Sequence, residues 1–165
     1  MSHASFGWRT PVWALALLAA MGCASAHPRV ITDAQAQAVR DTVIALEHAT
    51  DAAVDHLDCV AAFDRIGDQR PIFVSGGRVV RTRDAFRSAC DAIIAPRTGA
   101  IFVTDTVSAH VLSPDAAYVV REGAYTVNFK DGTSRRTYLV MTSIWTRENG
   151  AWKMVHLHES SRPLP

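Results

Sequence analysis

Residues 134–160 read SRRTYLVMTSIWTRENGAWKMVHLHES. Two runs rich in Tyr, Val, Ile, Thr and Trp flank Arg147-Glu148-Asn149-Gly150, and Asn-Gly between alternating stretches is a strong hairpin signal. The spacing therefore predicts a long β-hairpin. A strand repeats every two residues, which puts Trp152, Met154, His156, His158 and Ser160 on one face and Lys153, Val155, Leu157 and Glu159 on the other. The first face grades from large apolar groups into imidazoles, as the wall of a half-polar cavity would.

Before the hairpin, residues 100–112 and 116–129 also alternate, with turns at Ser113-Pro114-Asp115 and Lys130-Asp131-Gly132. The earlier chain is helical in pattern. Thr32 and Gln35 form a capping box, and Val39, Val43 and Leu46 recur at helical spacing to about Glu47. After a short break at Thr50-Asp51, Val54, Leu57 and Ala61 repeat the period up to Gly67. Pro71 to Val74 and Arg78 to Arg81 make a small hairpin about Ser75-Gly76-Gly77. Thr82 caps a third helix with Phe86, Cys90, Ile93 and Ile94 as its buried stripe, ended by Pro96 and Gly99. Helices gathered ahead of a large antiparallel sheet predict an α+β domain in which a curved sheet wraps three N-terminal helices.

The chain of 165 residues suits one domain with a real core. Its net charge of +1, with scattered arginines, argues against a nucleic-acid partner. Residues 1–26 read as a signal peptide: Arg9 is a lone early cation, Val12 to Met21 is too short an apolar run to span a bilayer, and Ala24-Ser25-Ala26 is a cleavage site. Ala20-Met21-Gly22-Cys23 offers a second route, a lipobox removing residues 1–22 and leaving lipidated Cys23 as the N-terminus and the chain's link to a membrane. Either way the protein is expected to be exported, as a periplasmic, membrane-anchored or secreted product. In that setting Cys59 and Cys90, on two predicted helices, are either a disulfide or two buried thiols.

The order of elements, VVRTRDAF ahead of the third helix and above all IWTRENGAWKMVHLHES resemble the nuclear transport factor 2-like superfamily. Within it they are similar to SnoaL-like domains, over residues 32–161, and to the calcium/calmodulin-dependent kinase II association domain. The resemblance implies a cone-like roll with a pocket between sheet and helices and a homodimer formed through the sheet. It implies no single chemistry, because binders, isomerases, dehydratases and oligomerisers share the scaffold. A ketosteroid isomerase type of site is disfavoured: Phe73 or Val74 stands at its base position, Thr142 near its second carboxylate, and Tyr118, Tyr125 and Tyr138 all lie in the sheet.

The site residues expected from the pattern are Asp105, Arg121, Tyr138, Trp145, His156 and His158. His156 and His158, about 7 Å apart on a strand, would suit an acid–base pair, two donors to an anion, or plain packing, and no third ligand follows at metal spacing. Asp105 interrupts the row Ile101, Val103, Val107, Ala109, Val111; on a concave face it would be a perturbed carboxyl, on a convex one a solvated group or part of a dimer seam. Arg121 shares a face with Val119, Tyr125 and Val127 and would suit an anionic ligand. The leading expectation is a cofactor-independent pocket for a small hydrophobic or amphipathic molecule, rimmed by histidines. A lyase, isomerase or hydrolase using Asp105 with His156 or His158 is the enzyme alternative, and an oligomerisation or peptide-binding module the third.

Overall fold

The computed structural model describes residues 31–68 and 71–165; the expected leader and Cys23 lie outside them. Helix α1 spans Asp33–Asp55, with the Thr32 hydroxyl accepting from the Gln35 N–H at 3.2 Å and the Gln35 side chain accepting from the Thr32 N–H at 3.0 Å. It runs unbroken through the expected gap at Thr50-Asp51. No Gly or Pro interrupts it there, and the Thr50 hydroxyl is satisfied within the helix, donating to the Leu46 carbonyl at 2.9 Å. The chain breaks only at Leu57, which takes a left-handed φ of 57°. Asp58 then caps a single turn, α2 (Cys59–Phe63), by accepting from the Ala61 N–H at 2.9 Å.

Strands β1 (Ile72–Ser75) and β2 (Arg78–Val80) form the small hairpin, and α3 (Arg83–Ile94) follows under its Thr82 cap. The expected stripe on α3 is only half-buried: Phe86, Cys90 and Ile94 are partly covered, no residue of the helix is fully buried, and Ile93 is 52% exposed. Instead Phe86 stacks on Phe73 at 4.1 Å and meets Phe63 edge-on at 4.3 Å, while a disulfide joins Cys59 to Cys90.

The four long strands are β3 (Arg97–Ser113), β4 (Ala116–Phe129), β5 (Ser134–Glu148) and β6 (Ala151–Pro163), in a sheet ordered β2-β1-β6-β5-β4-β3. The turn of the last hairpin is as the sequence demands, Asn149 at φ 50° and Gly150 at φ 83° closing two residues between Glu148 and Ala151. The sheet is mixed rather than wholly antiparallel, because β1 runs parallel to β6, with Ile72 opposite His156. The long crossover that a parallel pair needs is supplied by everything from β2 to β5. The inner face packs on α1, where Val39, Val43, Ile66, Phe73, Ala117, Val119, Trp145 and Met154 form the core.

Of four register shifts in the sheet, two decide whether the expected site residues look inward. In β3, Thr104 pairs with Gly123 and Thr106 with Glu122, so Asp105 is an extra residue. Ile101 and Val103, 55% and 57% exposed, therefore lie on the outer face, while Val107, Ala109 and Val111 pack against the core. In β6, Trp145 pairs with Met154 but its neighbour Ile144 pairs with His156, so Val155 is extra. Because the period of a strand is two, one added residue turns everything beyond it over. Gly123 is needed opposite the first bulge: a Cβ there would stand 2.1 Å from the Val103 carbonyl oxygen.

Candidate functional site

The inward stripe of α1 changes character halfway along. It reads Val39, Val43, Glu47, Asp51, Asp55, one residue every four, so two valines in the core give way to three carboxylates on the same face. Across from them, β4 turns Ala117, Val119, Arg121 and Gly123 inward, and β5 turns Met141, Ser143 and Trp145 inward.

Glu47 is fully buried. Its Oε1 accepts from the Ser143 hydroxyl and, at 2.6 Å, from Trp145 Nε1. Its Oε2 stands 3.0 Å from Arg121 Nε, an ionic contact off the angle of a hydrogen bond, so both atoms lack a hydrogen-bond partner. Arg121 Nη1 donates to Asp51 Oδ1, and the guanidinium lies 5.3 Å over the Phe102 ring. Asp51, whose side chain is 14% exposed, keeps Oδ2 without a donor. Burial pushes its carboxyl above the usual value; Arg121 opposes this, and the charges of Glu47 and Asp55 add to it. Asp55 is also raised by burial, against a hydrogen bond that its Oδ1 accepts from the Phe102 N–H at 3.0 Å. Further out, Tyr125 accepts from Arg97 Nη1 at 2.7 Å, and burial raises its phenol. Two carboxyls shifted upward, one with a free oxygen, beside a fixed guanidinium can accept or deliver a proton and orient a polar group.

Of the residues expected from sequence, Arg121 and Trp145 belong to this inner cluster. His156, His158, Asp105 and Tyr138 do not. The Val155 bulge pairs His156 with Ile144 and His158 with Thr142 on the outer face, and His158 is exposed. The Asp105 bulge leaves that carboxylate exposed on the outer face beside Tyr138, whose phenol is raised by desolvation and by its hydrogen bond with Asp105. Two clefts open on the surface, one lined by residues 134–137 with Ser161, Pro163 and Leu164 and one at Gln35, Ala38 and Arg147, and none of the four residues lines either. Among the described residues no cluster of three or more His, Cys, Asp or Glu is arranged to hold a metal ion.

Glu47, Asp51 and Asp55 escaped the sequence reading, which ended the first helix near Glu47. Their signal was present: carboxylates continuing a valine stripe at unbroken helical spacing.

The arrangement of helices before a curved six-stranded sheet is that of the nuclear transport factor 2-like superfamily. The SnoaL-like domain model matches residues 43–165, and the chain belongs to that family. Among solved structures, hexachlorocyclohexane dehydrochlorinase LinA-type3 from Novosphingobium barchaimii is similar at 17% identity and TM-score 0.69, over 81% of this chain and 94% of that one. A superfamily protein from Salmonella enterica gives 16% and 0.70 over 78% and 94%, and a putative scytalone dehydratase from Novosphingobium aromaticivorans 11% and 0.67 over 74% and 83%. No curated protein matches the chain. At such identities the likeness carries the fold alone.

Proposed function

We propose that this SnoaL-like domain binds a small hydrophobic or amphipathic molecule on the inner face, against Phe102 and Tyr125, with Asp51 and Asp55 as its polar contacts. The observation that carries the reading is Asp51: nearly buried, one oxygen on Arg121, the other facing no donor, its carboxyl raised by burial. A raised carboxyl one helical turn from a second also gives two groups able to take up or deliver a proton. This favours cofactor-independent lyase chemistry as the second reading, in keeping with the dehydrochlorinase and dehydratase names of two structural neighbours. Native mass spectrometry of gently purified protein should find a retained small molecule that Asp51→Asn or Phe102→Ala releases. A bare chain, together with a fragment screen that moves no amide signal of Phe102, Gly123 or Tyr125, would remove the proposal.

The outer face supports a homodimer formed through the sheet. Ile101, Val103, Leu112 and Val140 are exposed there at 55%, 57%, 63% and 37%. Sedimentation at micromolar concentration should report twice the chain mass; a monomer would remove both the dimer and the oligomerisation-module reading. Export to an oxidising compartment is supported by the leader and by the Cys59–Cys90 disulfide. The mass of the mature N-terminus from a membrane fraction separates lipidation at Cys23 from simple cleavage.

A further inference from the structure

The inner face continues past Asp55. Register places Thr137 opposite both Tyr125 and Pro163, Arg97 opposite Phe129, and Arg135 opposite inward-facing Val127. A cleft of about 420 Å³ opens at this end of the sheet, lined by Arg135, Arg136, Ser134, Thr137 and Ser161 with Pro163 and Leu164, so its lining is cationic and rich in hydroxyls. Two guanidiniums at this end of the sheet, Arg135 in the lining of the cleft and Arg97 outside it, are steadied by aromatic rings. Arg97 lies 5.8 Å from the Tyr125 ring centre while bonding its hydroxyl, and Arg135 lies 5.7 Å from that of Phe129. Stacking occupies the flat side of a guanidinium and leaves donors at its edge for a planar anion. Arg97 Nε is withdrawn from water and donates to nothing. Deeper in, the same face turns acidic at Asp55 and Asp51.

We infer that this cleft is a head-group subsite for a carboxylate, and that the ligand of the inner face is a small organic acid. The gradient fixes its direction. The anionic head rests in the cleft on Arg135, with Arg97 across the Phe129 strand on the same face, and the apolar body lies along Tyr125 and Phe102, about 7 Å inward for two residues of strand. The far end, which must be uncharged or a hydrogen-bond donor, meets Asp55 and Asp51. The placement of the body rests on the proposed function; the affinity of the rim for an anion does not.

Phenylpropanoate, phenylpropanol and phenylpropylamine share one skeleton with an anionic, neutral or cationic head, and titrating each into the whole protein while following the amides of Gly99, Tyr125, Thr137 and Ser161 tests the idea. The carboxylate should bind at least about tenfold more tightly than the other two, the step that one well-made charged contact provides. Arg135→Ala, at an exposed residue the fold does not need, should reduce it to the level of the alcohol; Arg135→Lys should restore part, since a point charge lacks the fork. An amine that matches the carboxylate, or a preference untouched by Arg135→Ala, overturns the inference. If the alcohol then still binds in a way sensitive to Phe102→Ala, the inner-face reading stands without the acid head. If none of the three moves these amides, both fall.

Discussion

Val39 and Val43 in the first half of α1 sit in the core with Ala117, Val119 and Trp145, whereas Glu47, Asp51 and Asp55 in the second half meet Ser143, Arg121 and the Phe102 N–H on the same sheet face. The first half follows the ordinary logic of a helix on a sheet, apolar stripe inward. The second half inverts it. Removing an ion pair from water costs several kcal/mol per ion and is offset only by good geometry, so such pairs are poor instruments of stability. Here the offset is incomplete, since Glu47 Oε2, Asp51 Oδ2 and Arg121 Nε have no hydrogen-bond partner. A helix shaped for stability alone would have carried its valines through. The change from valine to carboxylate marks where apolar packing gives way to a charged and partly unsatisfied cluster.

The contrast can be broken in graded steps. Glu47→Ala leaves the Ser143 hydroxyl without its acceptor, Trp145 Nε1 with only the Ser143 oxygen at 3.1 Å, and Arg121 half neutralised, and should cost about 3–5 kcal/mol in urea unfolding. Val43→Ala, fully buried in the apolar half, should cost about 2 kcal/mol. Replacing the cluster as a unit, Glu47→Leu with Asp51→Leu and Arg121→Met, should be neutral or stabilising by about 1–4 kcal/mol while abolishing any ligand binding. A large loss of stability in that triple variant would mean that the charges are structural after all.

A smaller effect lies in pH. The folded carboxyl of Asp51 is raised above its unfolded 3.8, so the folded chain holds the proton more tightly. That contribution is fully present below 3.8 and is lost as pH rises through the folded value. Asp51→Asn removes it, and stability should vary less over that window than in the parent. Asp131, lowered by its bonds to Thr133, acts with the opposite sign in both proteins and cancels from the comparison. Smallest of all, Asp105→Ala and His158→Ala on the outer face should each shift stability within about 0.5 kcal/mol and leave inner-face binding unaltered.

The strongest sequence signals were local ones. Asn149-Gly150 and Gly76-Gly77 need positive φ at both residues and adopt it, and the Thr32–Gln35 box begins its helix. The order of elements follows from such punctuation. What could not be read was which face of each long strand looks inward. Alternation alone puts Met154 and His156 together, and Val103 with Val107, and nothing in the residue types announces the extra residues Val155 and Asp105. A bulge answers to contacts made across the sheet, such as the close approach of Val103 to Gly123, which a linear pattern does not contain. The carboxylates of α1 are a different case: their spacing was visible, and the expectation of a break at Thr50-Asp51 hid it.

The extra residue at Val155 also makes this scaffold unusually convertible. Pulling that bulge flat, so that Val155 enters the ladder opposite Ile144, would bring His156, His158 and Ser160 around to the side of Arg121 and Asp51, and send Leu157 and Glu159 to the opposite side. Lineages built on this roll could thus exchange a carboxylate repertoire for an imidazole one through a one-residue slip of the last strand, with every amino acid kept.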